Sequence, residues 1–181
     1  MAQLHVEAEG VAQAAPEVVW ELVANADSYS QWGPWSASGY ENLGAQAPDG
    51  AGVIRWMRYG RTTTVEKVLE SQRGRRLVYT VVKGIPVRNY RADVTLTPEG
   101  EGTHIRWAAS WDRTLPGRIV HRKLRSIYPD VVSSLIAAAE RSAARLGMTA
   151  LPVMAAAAGR LAAQAWLLTL SPGSASPTPP R

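Results

Sequence analysis

The 181-residue chain contains no cysteine, no phenylalanine and only three histidines. Without cysteine there is no disulfide, no thiolate nucleophile and no Cys-ligated metal. That fits a reducing compartment, and a cytoplasmic location is expected. His5, His104 and His121 are too scattered to suggest a dedicated metal site. The glycine-containing stretch GAQAPDGAG (44–52) lacks the Lys-Ser/Thr that a phosphate-binding loop requires, and no nucleophile elbow or Ser-His-Asp spacing is present. The opening MAQLHVEAEG is acidic and alternating, unlike a signal peptide. A long uninterrupted apolar run is missing too. Met148 to Leu170 is rich in Ala and Leu, but Arg160 and Gln164 break it. It reads as an additional helix, packed or lying on a surface, that contacts a membrane at most without spanning it. Residues 171–181, SPGSASPTPPR, read as a disordered tail.

Positive charge is absent from the first 52 residues, which carry seven acids and no Lys or Arg. Residues 53–125 hold sixteen Lys/Arg against six acids. The simplest consequence is that the two parts attract each other as neighbours; a positive rim drawing in an anionic ligand or surface is the sharper alternative. The aromatics of the basic part fall mostly on its apolar faces rather than among the basic residues, which argues against a nucleic-acid partner. Hydrophobic residues make up 46% of the chain, enough for a sizeable core. Its aromatics are seven Trp and six Tyr, rings with a polar tip that suit the wall of a cavity as well as a dry core.

Periodicity orders the elements. Gln3 to Val11 alternates as a half-buried strand. Val18, Val19, Leu22 and Val23 recur at helical spacing behind Pro16, and Asp27 is placed to cap a second short helix holding Tyr29 and Trp32. Extended runs follow at Ser36–Leu43, Val53–Tyr59, Thr62–Glu70, Leu77–Lys83, Val87–Thr97 and Thr103–Asp112, with short connections that predict an antiparallel meander. In the last of these Ile105, Trp107, Ala109 and Trp111 share one face, and a one-faced sheet needs a cover. Arg118 to Leu146 supplies it: Val120, Leu124, Tyr128, Val131, Leu135 and Ala139 form a helical stripe, with Pro129 expected to kink or split it. The organisation expected is a domain at 1–147, a helix at 148–170 and a tail at 171–181.

VEAEGVAQAAPEVVWELVANADSYSQWGPW (6–35) resembles the start of the START-like, polyketide cyclase/dehydrase superfamily, the SRPBCC group. GAGVIRW (50–56), TVEKV (64–68), RRLVYTVVKGIPVRNYRADVTLTP (75–98) and GTHIRWAASW (102–111) continue the resemblance in order, and with the long helix it covers residues 3 to about 146. It implies an α+β helix-grip fold: a curved seven-stranded antiparallel sheet around a long C-terminal helix, two short helices between strands 1 and 2, and a cavity between sheet and helix. It also implies a hydrophobic small-molecule partner of aromatic, polyketide-like or lipid-like kind. Some relatives are aromatase/cyclases, so an enzyme using the same cavity is the alternative. Rieske-type relatives need Cys and His ligands absent here, and no cofactor is expected.

Within that frame Tyr79, Tyr90, Trp107 and Trp111 are placed on the face shared with the long helix, together with Tyr128 from the helix, as aromatic walls of a binding site. Arg55 and Glu66 match the recurring "G-x-x-R" and "E-x-V" patterns. Facing inward, they would orient a ligand or exchange a proton; the bland alternative, favoured on the sequence, is a cross-strand ion pair on the outer face. Parity along Thr62–Leu69 leaves this open. Arg106 and Asp93 read as another outer-face pair. His121, Arg118, Arg122 and Arg125 read as a solvated basic face, with a portal for an anionic head group or membrane as the lesser reading. Trp20 and Trp32 are expected to wedge the closure at one end of the sheet, and of that corner Trp32 alone is the candidate to touch a ligand. The catalytic residues and the oligomeric state are not legible.

Overall fold

The computed structural model describes residues 2–43 and 50–147. The expected helix at 148–170, the tail at 171–181 and most of the 44–52 turn lie outside the described residues. Seven strands form one antiparallel sheet: β1 (Gln3–Ala12), β2 (Ala37–Asn42), β3 (Ile54–Tyr59), β4 (Thr62–Gln72), β5 (Arg76–Lys83), β6 (Arg91–Glu99) and β7 (Gly102–Asp112). Their order across the sheet is β1-β7-β6-β5-β4-β3-β2. β2 to β7 therefore run as a meander, and β1 closes the far side by pairing with β7, from Gln3 opposite Asp112 to Ala12 opposite Thr103. The helices α1 (Pro16–Ala24) and α2 (Tyr29–Trp32), with a 3-10 turn at Ala26–Ser28 between them, fill the connection from β1 to β2. The long helix α3 (Leu115–Arg145) follows β7 and is the last described element. This is the curved-sheet, helix-grip architecture expected.

Local chemistry explains most boundaries. Asn25, not Asp27, starts the short helical pair: its Oδ1 accepts from the Asp27 N–H at 3.0 Å. Thr114 caps α3 by accepting from the Gly117 N–H, and Trp111 Nε1 donates to the Gly117 carbonyl at 3.1 Å, tying β7 to the first turn of the helix. Pro129 does not split α3, which runs through it as one 31-residue helix. The proline lies on the exposed side of the helix, as does Arg125, whose carbonyl it deprives of a partner. Residues 87–90, read as the start of a strand, are irregular instead, and continue the 84–86 connection. Gly84 has φ +112, and a Cβ there would meet the Thr63 carbonyl oxygen at 2.2 Å. Only glycine fits where this loop crosses β4.

The core lies between the concave face of the sheet and α3. Ala92, Val94 and Leu96 of β6 and Ile105, Trp107, Ala109 and Trp111 of β7 are all buried, as the alternation predicts. The helix stripe differs along its length. Leu135, Ala138, Ala139 and Ala143 are buried and small enough to bring the helix close to the sheet, whereas Val120 and Leu124 remain partly exposed.

The acidic N-terminal part and the basic middle are indeed neighbours. Glu7 pairs with Arg106, Glu9 with His104 and Glu21 with Arg73. The expected Arg106–Asp93 pair does not form. Arg106 turns toward β1, and Asp93 instead takes Arg76 from β5, with Nε 3.1 Å from both carboxylate oxygens. Strand order explains the exchange, because β7 lies between β1 and β6 and its outer-face side chains can turn to either neighbour.

Candidate functional site

Where the N-terminal half of α3 stands off the sheet, a cleft of about 150 Å³ remains. One wall is the sheet: Met57 and Tyr59 from β3, Thr62, Thr64 and Glu66 from β4, Tyr79 and Val81 from β5, and Trp107 from β7. The other is α3, through Val120, Lys123, Leu124, Ile127, Tyr128 and Val131. Trp35, Ile85 and Tyr90 complete the lining. Lys123 is exposed and sits 5.2 Å from the Tyr59 ring centroid, which puts a cation at the mouth.

Of the residues singled out in the sequence, Glu66, Tyr79, Tyr90, Trp107 and Tyr128 come together on this lining. Trp111, Trp32 and Arg55 do not. Trp111 is wholly buried behind Tyr90, with ring centroids 5.7 Å apart, and its N–H serves the start of α3. Trp32 packs between Tyr29 and Trp35 and donates from Nε1 to Ser28 Oγ at 3.0 Å. Trp35, two residues ahead of β2, is the ring of that corner that reaches the cleft. Gly33 makes this approach feasible, since a Cβ there would meet the Trp35 ring at 2.2 Å. No local pattern singles out Trp35, which lies in the connection between α2 and β2.

Arg55 and Glu66 face inward, which corrects the outer-face reading. They sit directly opposite each other on β3 and β4, at 0% and 7% exposure. Arg55, Met57 and Tyr59 point to the core, while Trp56 points outward, where Arg58 lies over its ring. The run VIRWMRY has apolar residues on both faces, so alternation alone could not orient it. Arg55 Nε donates to Glu66 Oε2 at 3.1 Å. Its Nη1 donates to the Tyr29 hydroxyl at 3.0 Å and to the Val23 carbonyl at 3.3 Å, and Tyr29 in turn donates to Val23 at 2.7 Å. The guanidinium thus braces α1 and α2 against the sheet while holding one oxygen of Glu66. The other, Oε1, carries no hydrogen bond among the described residues. Among the described residues Glu66 is the one carboxylate on the cleft lining.

Burial pushes the Glu66 carboxyl up to about 7, against the opposing pull of Arg55. Burial likewise raises Tyr79, Tyr90 and Tyr128 above the ordinary phenol value, so all three are neutral hydroxyls at physiological pH. Trp107 Nε1 donates to the Tyr79 oxygen at 3.0 Å, and the Tyr90 and Tyr128 oxygens are 2.8 Å apart. Two links at most can join three phenols in a row, so at least one of the three O–H protons is left for another acceptor in the cleft.

Among the described residues no three His, Asp or Glu side chains gather as metal ligands, and no helix is long and apolar enough to cross a membrane.

Comparison with known structures gives the same architecture. The protein XoxI of Bacillus cereus superposes with a TM-score of 0.61 at 20% identity, over 76% of this chain and 95% of its own. A Thermobifida fusca protein gives 0.60 at 28% identity, over 77% and 93%. A Mesorhizobium loti protein gives 0.62 at 19%, over 76% and 98%. No curated protein sequence matches the chain significantly. A family profile, described as polyketide cyclase/dehydrase and lipid transport, matches residues 3–146. With the sheet, the long helix and their spacing in place along that same span, the chain belongs to the polyketide cyclase/dehydrase and lipid transport family.

Proposed function

We propose that the protein binds an apolar small molecule in the cleft between sheet and α3, with its polar end toward Glu66 and the tyrosines. One observation supports this above others. The cleft is walled by rings and aliphatic chains, yet it holds an acceptor and a donor on one lining: Glu66 Oε1 and a phenolic O–H. An apolar molecule carrying a hydroxyl satisfies both, donating to Glu66 and accepting from the phenol. A cavity of about 150 Å³ accommodates roughly one benzene-sized ring. A larger ligand therefore places one ring inside and extends past Lys123. The family's description, which includes lipid transport, favours the same class of ligand.

Quenching of tryptophan fluorescence by 1-naphthol is the direct test. Saturable quenching is expected, weakened at least tenfold in Tyr128→Phe, with a co-purified apolar compound in native mass spectrometry. A protein that binds no apolar probe sinks the reading.

A cyclase/dehydrase-type enzyme is the second reading, and the Glu66 carboxyl near 7 is what favours it. Such a group can take a proton from carbon alpha to a carbonyl, while a tyrosine O–H donates to the carbonyl oxygen. Deuterium exchange into acetylacetone, accelerated by the protein and not by Glu66→Gln, is the expected outcome. Equal rates with and without protein remove this reading.

A further inference from the structure

The first half of α3 carries basic side chains without acidic partners among the described residues. From Arg113 to Pro129 there is no Asp or Glu. Arg118 and Arg122 are exposed and make no ion pair among the described residues. Arg125 is less free, since it shares a surface hollow with Glu7, already paired with Arg106. On the same face lie Leu115 and Ile119, at 76% and 71% exposure the two most exposed large aliphatic residues of the described chain. They are four apart, one turn of helix, and Ile119 is one turn before Lys123 at the cleft mouth.

We infer that this face docks on an anionic lipid bilayer, with Leu115 and Ile119 entering the headgroup boundary, Arg118 and Arg122 meeting lipid phosphates, and the cleft mouth beside the contact. The combination decides the occupant. Cations alone would serve any polyanion, but an exposed aliphatic pair between them matches a surface that is charged outside and apolar beneath. The chain's own C-terminal part is a poor alternative, because residues 148–181 carry Arg160 and Arg181 and no acid. Docking goes beyond ligand binding in the cleft and does not depend on it. Where both hold, an apolar ligand passes between bilayer and cleft with little exposure to water.

The test is sedimentation of the full chain with vesicles of phosphatidylcholine alone and with 30% phosphatidylglycerol. Binding is expected only to the anionic vesicles, and it weakens as salt rises. Each cation near an anionic surface contributes about fivefold in partitioning, so Arg118→Gln with Arg122→Gln lowers it roughly twenty-five-fold. Leu115→Ser with Ile119→Ser lowers it at least tenfold. Unchanged thermal melting and unchanged 1-naphthol quenching in both variants separate a docking defect from unfolding and from failure of the cleft. No binding by the parent chain at low salt overturns the inference. So does equal binding by the Leu115/Ile119 variant, which would assign the contact to another surface. A DNA duplex bound as tightly as the vesicles, and indifferent to the Leu115/Ile119 change, would also overturn it, as would a self-association that the two variants abolish in the absence of lipid.

Discussion

Arg55 Nε and Glu66 Oε2 lie 3.1 Å apart on facing positions of β3 and β4, with the guanidinium wholly out of solvent. The pair links two parts of the molecule. Arg55 also holds Tyr29 and the end of α1, whereas Glu66 faces the cleft. Desolvating both charges is costly, and the hydrogen bonds of Arg55 offset only part of it. Removing one partner is therefore worse than removing both. Arg55→Met should cost about 3–5 kcal/mol by leaving a buried carboxylate alone. Arg55→Met with Glu66→Leu should restore part of that loss in urea unfolding, and a strictly additive double variant would contradict the coupling.

Glu66 also makes stability depend on pH. Its carboxyl is raised from 4.5 to about 7 in the folded chain. Between those values the folded protein keeps a proton that the unfolded chain has released, so stability falls as pH rises through this window. The loss is on the order of 3 kcal/mol between pH 4.5 and 7, and it flattens above. Glu66→Gln should remove this slope. Denaturant midpoints for both proteins at pH 5, 6, 7 and 8 check it; parallel curves would place the titration elsewhere.

Trp107 separates a tightly packed wall from a cleft wall. It is buried and donates to Tyr79. In dense core, Trp107→Ala costs about 3–5 kcal/mol. A ring that borders existing free space should fall at or below the lower end and lose 1-naphthol quenching as well. Trp107→Phe keeps most of the bulk and loses the N–H, for about 1 kcal/mol.

Gly84 predicts a backbone effect beside the same cleft. Gly84→Ala must move the 84–90 loop away from Thr63 and strain a positive φ, for about 1–3 kcal/mol. Because Ile85 lines the cleft, the variant should also shift probe affinity. A change in melting temperature with unaltered quenching would show that the loop moves without disturbing Ile85.

Much of this architecture is legible in the chain. β6 and β7 alternate cleanly because one side meets α3 and the other water, and the α3 stripe from Val120 to Ala139 keeps helical spacing for the same reason. The site is legible only where rings mark it, at Tyr79, Tyr90, Trp107 and Tyr128. Arg55 and Glu66 could be named but not oriented, since β3 carries Ile54 and Trp56 on the face opposite Met57. Trp35 and Lys123 reach the cleft through the approach of separate elements, which no local pattern records. Pro129, expected to kink or split α3, leaves it one continuous helix.

The pairing of β1 with β7 has a consequence in time. β1 is synthesised before the other six strands, and β7, its only neighbour among the described strands, ends at Asp112. The meander from β2 to β7 can grow by adding each new strand to the last, but β1 must wait across about a hundred residues for its partner. Contacts of such long sequence separation slow folding and leave a strand unpaired while the chain emerges. The acidic residues Glu7 and Glu9 along that waiting strand disfavour its pairing with a second copy of itself. The cleft, walled by α3, thus takes shape only after the sheet that β1 completes and the helix are both in place.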